Sequence, residues 1–370
     1  MKLLYITTVG QTMGFFTSLI TELIREGHKI DIACSDTERI PAQYADLGCE
    51  VFPLSCSRNP LALGNIRSIR EIRRIVEEGK YDAVHCHTPI AAALARIACR
   101  PLRKRGLKVI YTAHGFHFYK GAPLVNWLLY YPIEWVCARW TDLLLTMNRE
   151  DYEFAARRLK AGDVKYVPGV GVDTERFAKV ESDRAAKRGE LCLGDGDIVL
   201  LSVGELNRGK NHQAIFRALA ELKDPRIRYL VAGRGKQEAS LRAIAESLGI
   251  AEQVRLTGHR DDIPELLNAA DIFCFPSIRE GLPVALMEAM ASGLPCVASG
   301  IRGITDLIND GEGGFLCRPN DTQCFAAAIE RLVESPSLRK TMGLVNSDRV
   351  KAFDQKRVNG IMKEIYENAV

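Results

Sequence analysis

The sequence predicts an α/β protein of two Rossmann-like domains, with a parallel sheet in each domain and the two sheets facing across a cleft. Three observations support this fold class. Short apolar runs alternate with amphipathic helical patterns, an order typical of parallel sheets that helices cover on both faces. The alternation occurs twice along the chain. The length of 370 residues also suits two domains of ordinary size.

In the first half, apolar runs predict strands, and patterns with apolar residues at spacings of three and four predict helices. The predicted strands are 2–8, 29–34, 49–54, 82–86, 108–112 and 142–146. The clearest helical patterns are 15–26 and 66–78. We assign residues 1–172 to the N-terminal domain.

The second half repeats this arrangement. The predicted strands are 198–203, 228–232, 253–257, 271–275 and 295–298, and the predicted helices are 213–222, 262–269 and 284–291. A turn-rich segment, 168–173, precedes this half. We assign residues 173–348 to the C-terminal domain and expect a helical segment, 349–370, that crosses back to the N-terminal domain.

Composition narrows the class of protein. Hydrophobic residues make up 47% and charged residues 26%, which is typical of a globular protein. No run of about 20 apolar residues occurs, so no membrane-spanning helix is expected. The formal net charge of +4 is modest and no nucleic-acid-binding motif is visible, so nucleic acid is not an expected partner. The 11 cysteines are scattered without a CxxC pair, which predicts reduced, buried thiols in a cytoplasmic protein.

Positive charge is concentrated before an aromatic segment. Six basic residues fall between positions 96 and 108, and an apolar, aromatic stretch follows at Trp127–Tyr131. The basic residues are Arg96, Arg100, Arg103, Lys104, Arg105 and Lys108. This pattern predicts contact with anionic lipid headgroups. The alternative is a solvated helix end followed by a core helix.

The most informative segment carries two glutamates. Glu280 lies in a loop after a predicted strand, at the carboxyl edge of the sheet where doubly wound folds bind ligands. Glu288 lies in the helix that follows, and the two carboxylates are placed to contact different parts of one elongated ligand. Gly281 and the free N–H groups at the helix start allow a phosphate or a sugar to approach closely.

Segments Glu280–Pro283 and Glu288–Pro295 resemble the E-x7-E signature of family 4 retaining glycosyltransferases, which have the GT-B fold. Segments 258–266 and 168–173 also resemble this family. The resemblance implies that Glu280 acts in catalysis by holding the donor sugar, and that Glu288 binds the ribose. It also implies donor contacts from Gly281 and Leu282.

A second loop supplies positive charge. Lys210 follows the first strand of the C-terminal domain and resembles the family's lysine that binds the donor diphosphate. A positioned Arg/Lys pair neutralises the charge that grows on a leaving nucleoside diphosphate. We expect Lys210 to do so with help from Arg208. Glu205 stands where the family usually has arginine, which leaves the second cation open; the alternative is an ordinary solvated loop.

Three histidines are candidates in the N-terminal domain. His114 follows a predicted strand and matches a family histidine that contacts the sugar, so we assign it a catalytic role as a neutral hydrogen-bonding ring. His87 and His117 are candidates for the acceptor side. A zinc site at His85, Cys86 and His87 is not expected, because neighbouring residues on a strand point to opposite faces.

Weaker candidates complete the donor site. Gly14 lies in the first strand-to-helix turn, where the family has a glycine-rich loop, although a plain tight turn explains it equally well. Leu256 and Arg260 lie where the resemblance implies recognition of the base, largely through the backbone. Gly233 and Gly235 end a strand and would let a ligand approach. The absence of GxGxxG argues against a standard NAD site.

The resemblance is strongest to bacterial transferases that build capsule, exopolysaccharide or O-antigen. It implies a UDP-hexose or UDP-HexNAc donor, no metal or cofactor, and a polyprenyl-diphosphate-linked saccharide acceptor at the inner face of the plasma membrane. Two alternatives stay open. A UDP-sugar epimerase of the same fold would have a different set of carboxylates. A non-catalytic donor-binding subunit would not need Glu280.

Overall fold

The computed structural model describes residues 1–35, 37–57, 59, 62–180 and 183–370. The chain divides into two compact units, residues 1–170 with 355–370 and residues 171–354. The divisions at 170/171 and 354/355 compare with predicted boundaries at 172/173 and 348/349. The predicted α/β class with two parallel sheets is confirmed.

The N-terminal unit is built on one parallel sheet. Its strands are β1 (Lys2–Ile6), β2 (Lys29–Cys34), β3 (Val51–Pro53), β4 (Ala83–His87), β5 (Lys108–Ala113), β6 (Leu143–Thr146) and β7 (Asp163–Tyr166). Its first helices are α1 (Thr17–Arg25), α2 (Gln43–Asp46), α3 (Gly64–Gly79), α4 (Pro89–Cys99), α5 (Leu124–Ala138) and α6 (Arg149–Arg158). The strand order is β3-β2-β1-β4-β5-β6-β7, so the direction of winding reverses between β1 and β4.

The C-terminal unit repeats the design. Its strands are β8 (Ile198–Val203), β9 (Ile227–Ala232), β10 (Val254–Gly258), β11 (Ile272–Phe275), β12 (Cys296–Ser299) and β13 (Gly314–Cys317). Its helices are α7 (Thr174–Ala178), α8 (Arg184–Glu190), α9 (Gln213–Leu222), α10 (Glu238–Ser247), α11 (Ile263–Ala269), α12 (Val284–Ala291), α13 (Ile304–Leu307), α14 (Thr322–Glu334) and α15 (Pro336–Arg349). The order β10-β9-β8-β11-β12-β13 reverses between β8 and β11.

Both sheets are covered on two faces, because their strands are apolar on both sides. In β1, Leu4 and Ile6 belong to one core and Leu3 and Tyr5 to another. Cores of the same kind lie on either side of the second sheet. Side chains that alternate along a strand point to opposite faces, and here both sets are apolar. Because the direction of winding reverses between β1 and β4 and between β8 and β11, the crevices at the carboxyl ends of these strands are the expected ligand sites.

The last helix, α16 (Gln355–Ala369), packs on the N-terminal unit. The Asn359 side-chain amide donates hydrogen bonds to Ser18 Oγ at 2.9 Å and to Glu22 Oε1 at 2.7 Å on α1. Lys363 forms an ion pair with Glu22 at 2.6 Å. Tyr366 is fully buried in the core beside β1. The chain therefore ends by completing the first unit.

The prediction that all cysteines are reduced is wrong for one pair. A disulfide joins Cys317 at the end of β13 to Cys324 in the first turn of α14. The short connection between these two elements brings their Cα atoms to 5.6 Å, a separation that a disulfide spans. The other nine cysteines are free thiols, and of these Cys192 alone is exposed.

Candidate active site

The carboxyl edge of the C-terminal sheet holds a lysine–glutamate pair. Lys210 lies in the loop after β8 and Glu280 in the loop after β11, the two neighbouring strands at the point where winding reverses. Lys210 Nζ is 2.8 Å from Glu280 Oε1. The lysine side chain retains 24% exposure and the glutamate 14%. A cation and a carboxylate are therefore available together at the edge where ligands bind.

Hydrogen bonds to backbone carbonyl groups fix the loop that carries Lys210. Asn211 has a left-handed backbone, with φ of 54°. Its side-chain amide donates to the carbonyl oxygens of Pro276, at 3.1 Å, and Pro319, at 2.8 Å. The Ile278 N–H donates to the Gly209 carbonyl at 2.9 Å, so the loops after β8 and β11 are directly tied. Asn211 is a residue that the sequence reasoning missed; an asparagine just before a helix, where left-handed backbone is tolerated, was the available signal.

Glycines at this edge allow backbone segments to touch. Gly303 has φ of 76°, and a Cβ built on it would lie 2.0 Å from the Gly281 carbonyl oxygen. A side chain at residue 303 would therefore displace the loop next to Glu280. A Cβ at Gly233 would lie 1.8 Å from the Gly204 carbonyl oxygen. The sequence analysis predicted that a ligand approaches Gly233. The structure shows that the backbone of Gly204 lies there.

Glu288 is the fifth of the eight residues of α12 and is largely withdrawn from water. Burial raises the pKa of its carboxyl group to about 7, and the nearby Arg176 opposes that shift. Glu288 is partly buried, and within the described part of the chain its carboxylate has no hydrogen-bond partner. Withdrawing a carboxylate from water without a partner is costly, and a ligand that supplies donors would offset that cost. The hydroxyl groups of a ribose are donors of this kind. Leu282, in the preceding loop, packs against the core beneath.

Arg208 is exposed, two residues before Lys210 in the same loop. No ion pair of its guanidinium occurs among the residues that the structure describes. Glu205 is also exposed and accepts a hydrogen bond from the Asn207 amide at 3.0 Å. Glu205 therefore does not pair with Arg208. Arg208 stays a candidate for the second cation.

Arg260 has a different environment from the other candidates. Its guanidinium donates to Asp262 Oδ1 at 2.7 Å and to Glu190 Oε1 at 3.1 Å. Lys187 contacts the same two carboxylates, so these four residues tie α8 to the start of α11. Leu256 lies on β10 and packs against the core. A contact of either residue with a nucleotide base would thus use the backbone or require this ion-pair network to open.

In the N-terminal unit, the structure brings two predicted histidines together. His87 ends β4 and His114 follows β5, and His87 Nδ1 lies 3.1 Å from His114 Nε2. The Phe16 ring is 4.3 Å from the His87 ring. Burial lowers the pKa of His114 to about 4 and holds that of His87 well below its usual range. Both rings are therefore neutral at physiological pH; a neutral ring was predicted for His114, and its hydrogen-bonding role stays a prediction.

A third histidine, His85, extends this group into the core. His85 Nε2 lies 2.7 Å from Thr112 Oγ1, and His85 Nδ1 lies 2.6 Å from Tyr366 Oη. Tyr366 in turn shares a short hydrogen bond with Tyr5. Cys86 lies in the core on the other face of the sheet. The last helix thus supports the histidines from behind, a link that no local sequence pattern reveals.

The remaining N-terminal candidates lie at the same edge. The His117 ring packs on Tyr130, with ring centroids 4.4 Å apart. Gly14 lies in a 3-10 turn, Gly10–Phe16, between β1 and α1, and a Cβ built on it meets open space. The backbone there has no steric need for glycine, which removes one reason to assign Gly14 a ligand.

A polar cavity lies at the carboxyl edge of the N-terminal sheet. It measures about 560 Å³ at the carboxyl ends of β1, β2 and β3. Hydroxyl groups of Thr8, Ser35 and Ser55 line it, together with Arg39. Sequence reasoning missed this cavity because each of its residues is ordinary in its own segment. Hydroxyl groups and a guanidinium are suited to binding a saccharide or a phosphate.

The predicted basic cluster is divided by the fold. Arg96 is buried, 1% exposed, and its Nη1 lies 2.7 Å from Glu134 Oε2. Arg103 forms an ion pair with Asp142 at 2.6 Å. Arg96 therefore does not belong to a surface patch, because it serves as the partner of a buried carboxylate on α5. Four members stay exposed: Arg100, Lys104, Arg105 and Lys108.

Helix α5 is exposed along one side. The alternative interpretation, in which this segment is a core helix, therefore does not hold. The exposed apolar residues are Leu124, Val125, Leu128, Leu129, Ile133, Trp135 and Val136. The sole charged residue of this helix is the buried Glu134. Just beyond the helix, the Arg139 guanidinium stacks on Trp135 at 3.6 Å.

None of the described helices is long and apolar enough to cross a membrane. In the same residues, no group of three metal-binding side chains was found.

Comparison with known proteins identifies the family. Two family models match: Glycosyl transferase 4-like over residues 2–148 and Glycosyl transferases group 1 over residues 183–344. EpsD of Bacillus subtilis (strain 168) is 37% identical over 371 residues, covering 99% of this chain and 96% of that protein. The UDP-Gal:alpha-D-GlcNAc-diphosphoundecaprenol alpha-1,3-galactosyltransferase of Escherichia coli is 30% identical, covering 94% of this chain and 91% of that protein. The chain belongs to the family 4 glycosyltransferases.

The fold of this glycosyltransferase agrees with the assignment. The Anabaena protein Alr3699/HepE, solved with UDP and glucose, superimposes with a TM-score of 0.84 at 20% identity, over 100% of both chains. WaaG, a glycosyltransferase of lipopolysaccharide biosynthesis, gives 0.78 at 18% identity, over 98% of this chain and 99% of that one. The predicted GT-B fold is therefore confirmed. The family assignment also favours a transferase over the epimerase and the binding subunit.

Proposed function

We propose that this glycosyltransferase moves a hexose or N-acetylhexosamine from a UDP-sugar to a hydroxyl group of a polyprenyl-diphosphate-linked saccharide, with retention at the anomeric carbon. The reaction would serve surface polysaccharide synthesis. The observation that carries the proposal is the Lys210–Glu280 pair, at 2.8 Å, at the carboxyl edge of the C-terminal sheet. UDP in the HepE structure and the lipid-linked acceptor in the name of the Escherichia coli relative support the two substrates.

The donor side of the reaction uses charge. As the bond between the anomeric carbon and the phosphate oxygen breaks, negative charge grows on the diphosphate. Lys210, with Arg208, would neutralise it without a metal or a cofactor. Glu280 would then exchange its contact with Lys210 for the hydroxyl groups of the donor sugar, and Glu288 would accept hydrogen bonds from the ribose.

The acceptor side uses neutral groups. The acceptor oxygen forms its bond to the anomeric carbon on the face that the phosphate leaves, and its proton passes to the departing phosphate oxygen. His114 would hold a sugar hydroxyl as a neutral ring, because its pKa of about 4 keeps it unprotonated. His87 and His117 would complete this side. The exposed, uncharged side of α5 with its flanking cations would hold the protein at an anionic membrane surface.

Donor binding tests the proposal directly. Isothermal titration of purified protein with UDP-, GDP-, ADP- and TDP-sugars should give binding by a UDP-sugar. Removing a charge-assisted contact costs about 1.5–3 kcal/mol, so Lys210→Ala should weaken that binding by about 10- to 100-fold. Lys340→Ala changes an exposed lysine on α15 and should bind normally. Absence of binding by every nucleotide sugar at millimolar concentration would contradict the proposed donor class.

Transfer to a lipid-linked acceptor then tests the rest. Radiolabelled donor and a short-chain polyprenyl-diphosphate saccharide should give a labelled lipid whose new linkage has the anomeric configuration of the donor. The inverted configuration would refute retention. Conversion of the UDP-sugar to an epimer without acceptor would instead identify an isomerase.

A further inference from the structure

An apolar groove runs between α4 and α5 in the N-terminal unit and has a volume of about 210 Å³. One wall consists of Ile90, Ala93 and Ile97, which lie on one face of α4 at spacings of three and four. The other wall includes Leu129 and Ile133, which are one turn apart on α5. Methyl groups and branched side chains therefore form most of the lining.

The groove has no uncompensated charge. Glu134 reaches its floor, but Arg96 lies 2.7 Å from one carboxylate oxygen, and the Tyr111 hydroxyl donates to the other at 3.1 Å. The Arg96 guanidinium also lies over the Tyr111 ring, 4.1 Å from its centroid. A polar ligand would lose hydrogen bonds to water here without regaining them. The groove therefore suits an apolar chain.

The position of the groove connects it to the site. Its α4 wall begins at Pro89, two residues after His87 at the carboxyl end of β4. Its α5 wall continues into the exposed face of α5, where Leu128 is 78% and Leu129 is 40% exposed. A chain in the groove would have one end near the carboxyl edge of the sheet and the other at the uncharged helix face.

Two cations lie at the C-terminal ends of α4 and α5, the ends away from the carboxyl edge of the sheet. Arg100, at the far end of α4, lies over the Trp140 ring at 4.8 Å, and Arg139 stacks on Trp135 at 3.6 Å. Tryptophan and arginine together are typical of segments at the membrane interface. These helix ends are thus cationic and aromatic, which suits contact with anionic headgroups of a membrane, whereas the walls of the groove are apolar.

We propose that the groove between α4 and α5 binds the isoprenoid chain of the acceptor, with its diphosphate toward the carboxyl edge of the N-terminal sheet. The branched isoleucines suit a methyl-branched chain. This inference rests on the lipid-linked acceptor of the proposed function and specifies where its lipid lies. A straight acyl chain of the bilayer and a second copy of this protein are the competing occupants.

A photolabelling experiment tests the groove without requiring turnover. The full-length protein in detergent is irradiated with a farnesyl phosphate that carries a diazirine, and labelled peptides are mapped by mass spectrometry. We expect label on α4 and α5, and competition by unlabelled polyprenyl phosphate but not by dodecyl phosphate. Equal competition by dodecyl phosphate, or label elsewhere, would overturn the proposal. If the label is lost as the protein dimerises at higher concentration, the occupant of the groove would instead be a second copy of this protein.

Two tryptophan variants locate the chain. Ala93→Trp fills the groove, whereas Leu344→Trp adds the same ring to an exposed position on α15, far from it in the sequence. We expect Ala93→Trp to reduce labelling at least tenfold and Leu344→Trp to retain it. Both variants should keep the melting temperature and UDP-sugar binding of the native protein, which reports a folded chain. Equal labelling of the two variants would refute the groove.

Chain length separates this inference from the proposed function. With Ala93→Trp, KM should rise about tenfold for a long-chain acceptor, and kcat should be unchanged. KM for a short-chain acceptor should stay at the native value. Transfer with no dependence on chain length would reject the groove but keep the transferase. Labelling of the groove by a protein that transfers to no lipid-linked acceptor would reject the proposed acceptor instead.

Discussion

The two units share one plan of winding but carry opposite chemistry at the carboxyl edges of their sheets. In the C-terminal unit, the loops after β8 and β11 bring Lys210 and Glu280 to 2.8 Å. In the N-terminal unit, β4 and the segment after β5 bring His87 and His114 to 3.1 Å. The lysine–glutamate pair is ionic, whereas the histidine pair is neutral because burial keeps both rings unprotonated.

This difference indicates what each edge can bind. A nucleoside diphosphate brings negative charge, which fixed cations stabilise strongly when water is limited. A hydroxyl group needs a neutral hydrogen-bonding partner instead. In the N-terminal unit, Arg96 and Glu134 form a buried, compensated pair, and Arg100 and Arg139 are exposed near the C-terminal ends of α4 and α5. The same doubly wound framework can therefore separate ionic from apolar recognition.

The largest effect on stability is expected from Arg96→Leu in the N-terminal unit. This change leaves Glu134 buried with the Tyr111 hydroxyl alone, and breaking a buried pair in this way costs about 3–5 kcal/mol. The three tryptophans, Trp127, Trp135 and Trp140, all lie in this unit, so their fluorescence during urea unfolding reports it selectively.

Two further variants sharpen that result. Arg100→Leu removes an exposed arginine nearby and should change the free energy of unfolding by no more than about 0.5 kcal/mol. Arg96→Leu combined with Glu134→Leu should recover much of the loss, because no unpaired charge stays buried. A single variant as stable as the native protein would show that Glu134 does not depend on Arg96.

The next effect concerns Glu288 in the C-terminal unit. Because its pKa is raised from about 4.5 to about 7, the native state holds a proton that the unfolded chain has already released. The free energy of unfolding should therefore fall as pH rises from about 4.5 to about 7, by about 3 kcal/mol at most. Glu288→Gln should lack this fall. Urea unfolding followed by circular dichroism at several pH values measures it.

A matched change isolates this contribution. Glu330→Gln removes an exposed glutamate on α14 and should keep the pH dependence of the native protein. The buried histidines titrate in all three proteins, so they cancel in the comparison. Identical pH profiles for Glu288→Gln and Glu330→Gln would contradict the assignment of a raised pKa to Glu288.

The sequence was sufficient to predict those parts of the site that depend on the local order of strands, loops and helices along the chain. Strand, loop and helix follow one another at 271–291 as predicted, and this order alone puts Glu280 at a sheet edge and Glu288 in a helix. The contact of Lys210 with Glu280 joins residues 70 positions apart. Such a contact follows from the strand order, which periodicity does not encode.

The missed features are long-range for the same reason. Arg96 reads as one of six basic residues in a cluster, and only the packing of α5 on α4 makes it a buried partner of Glu134. Tyr366 meets His85 across 281 positions of sequence. Cys317 and Cys324 are close in sequence, but the turn from β13 to α14 decides that their sulfurs meet.

The smallest effect on folding is expected on the exposed side of α5. Leu124→Ser with Leu128→Ser changes side chains that are 81% and 78% exposed, so the free energy of unfolding should change by about 0.5 kcal/mol or less per site. Burying each leucine in a membrane would contribute about 1.5–3 kcal/mol. Co-sedimentation with vesicles that contain anionic phospholipid should therefore fall at least tenfold.

The control for this variant lies in the other unit. Leu344 on α15 is 64% exposed, and Leu344→Ser should retain native binding to the vesicles. Equal binding of both variants would mean that the uncharged face of α5 does not meet the membrane. A loss in both would point to general surface hydrophobicity. Loss in the α5 variant alone, at unchanged stability and donor affinity, would show that the two units divide lipid and nucleotide recognition between them.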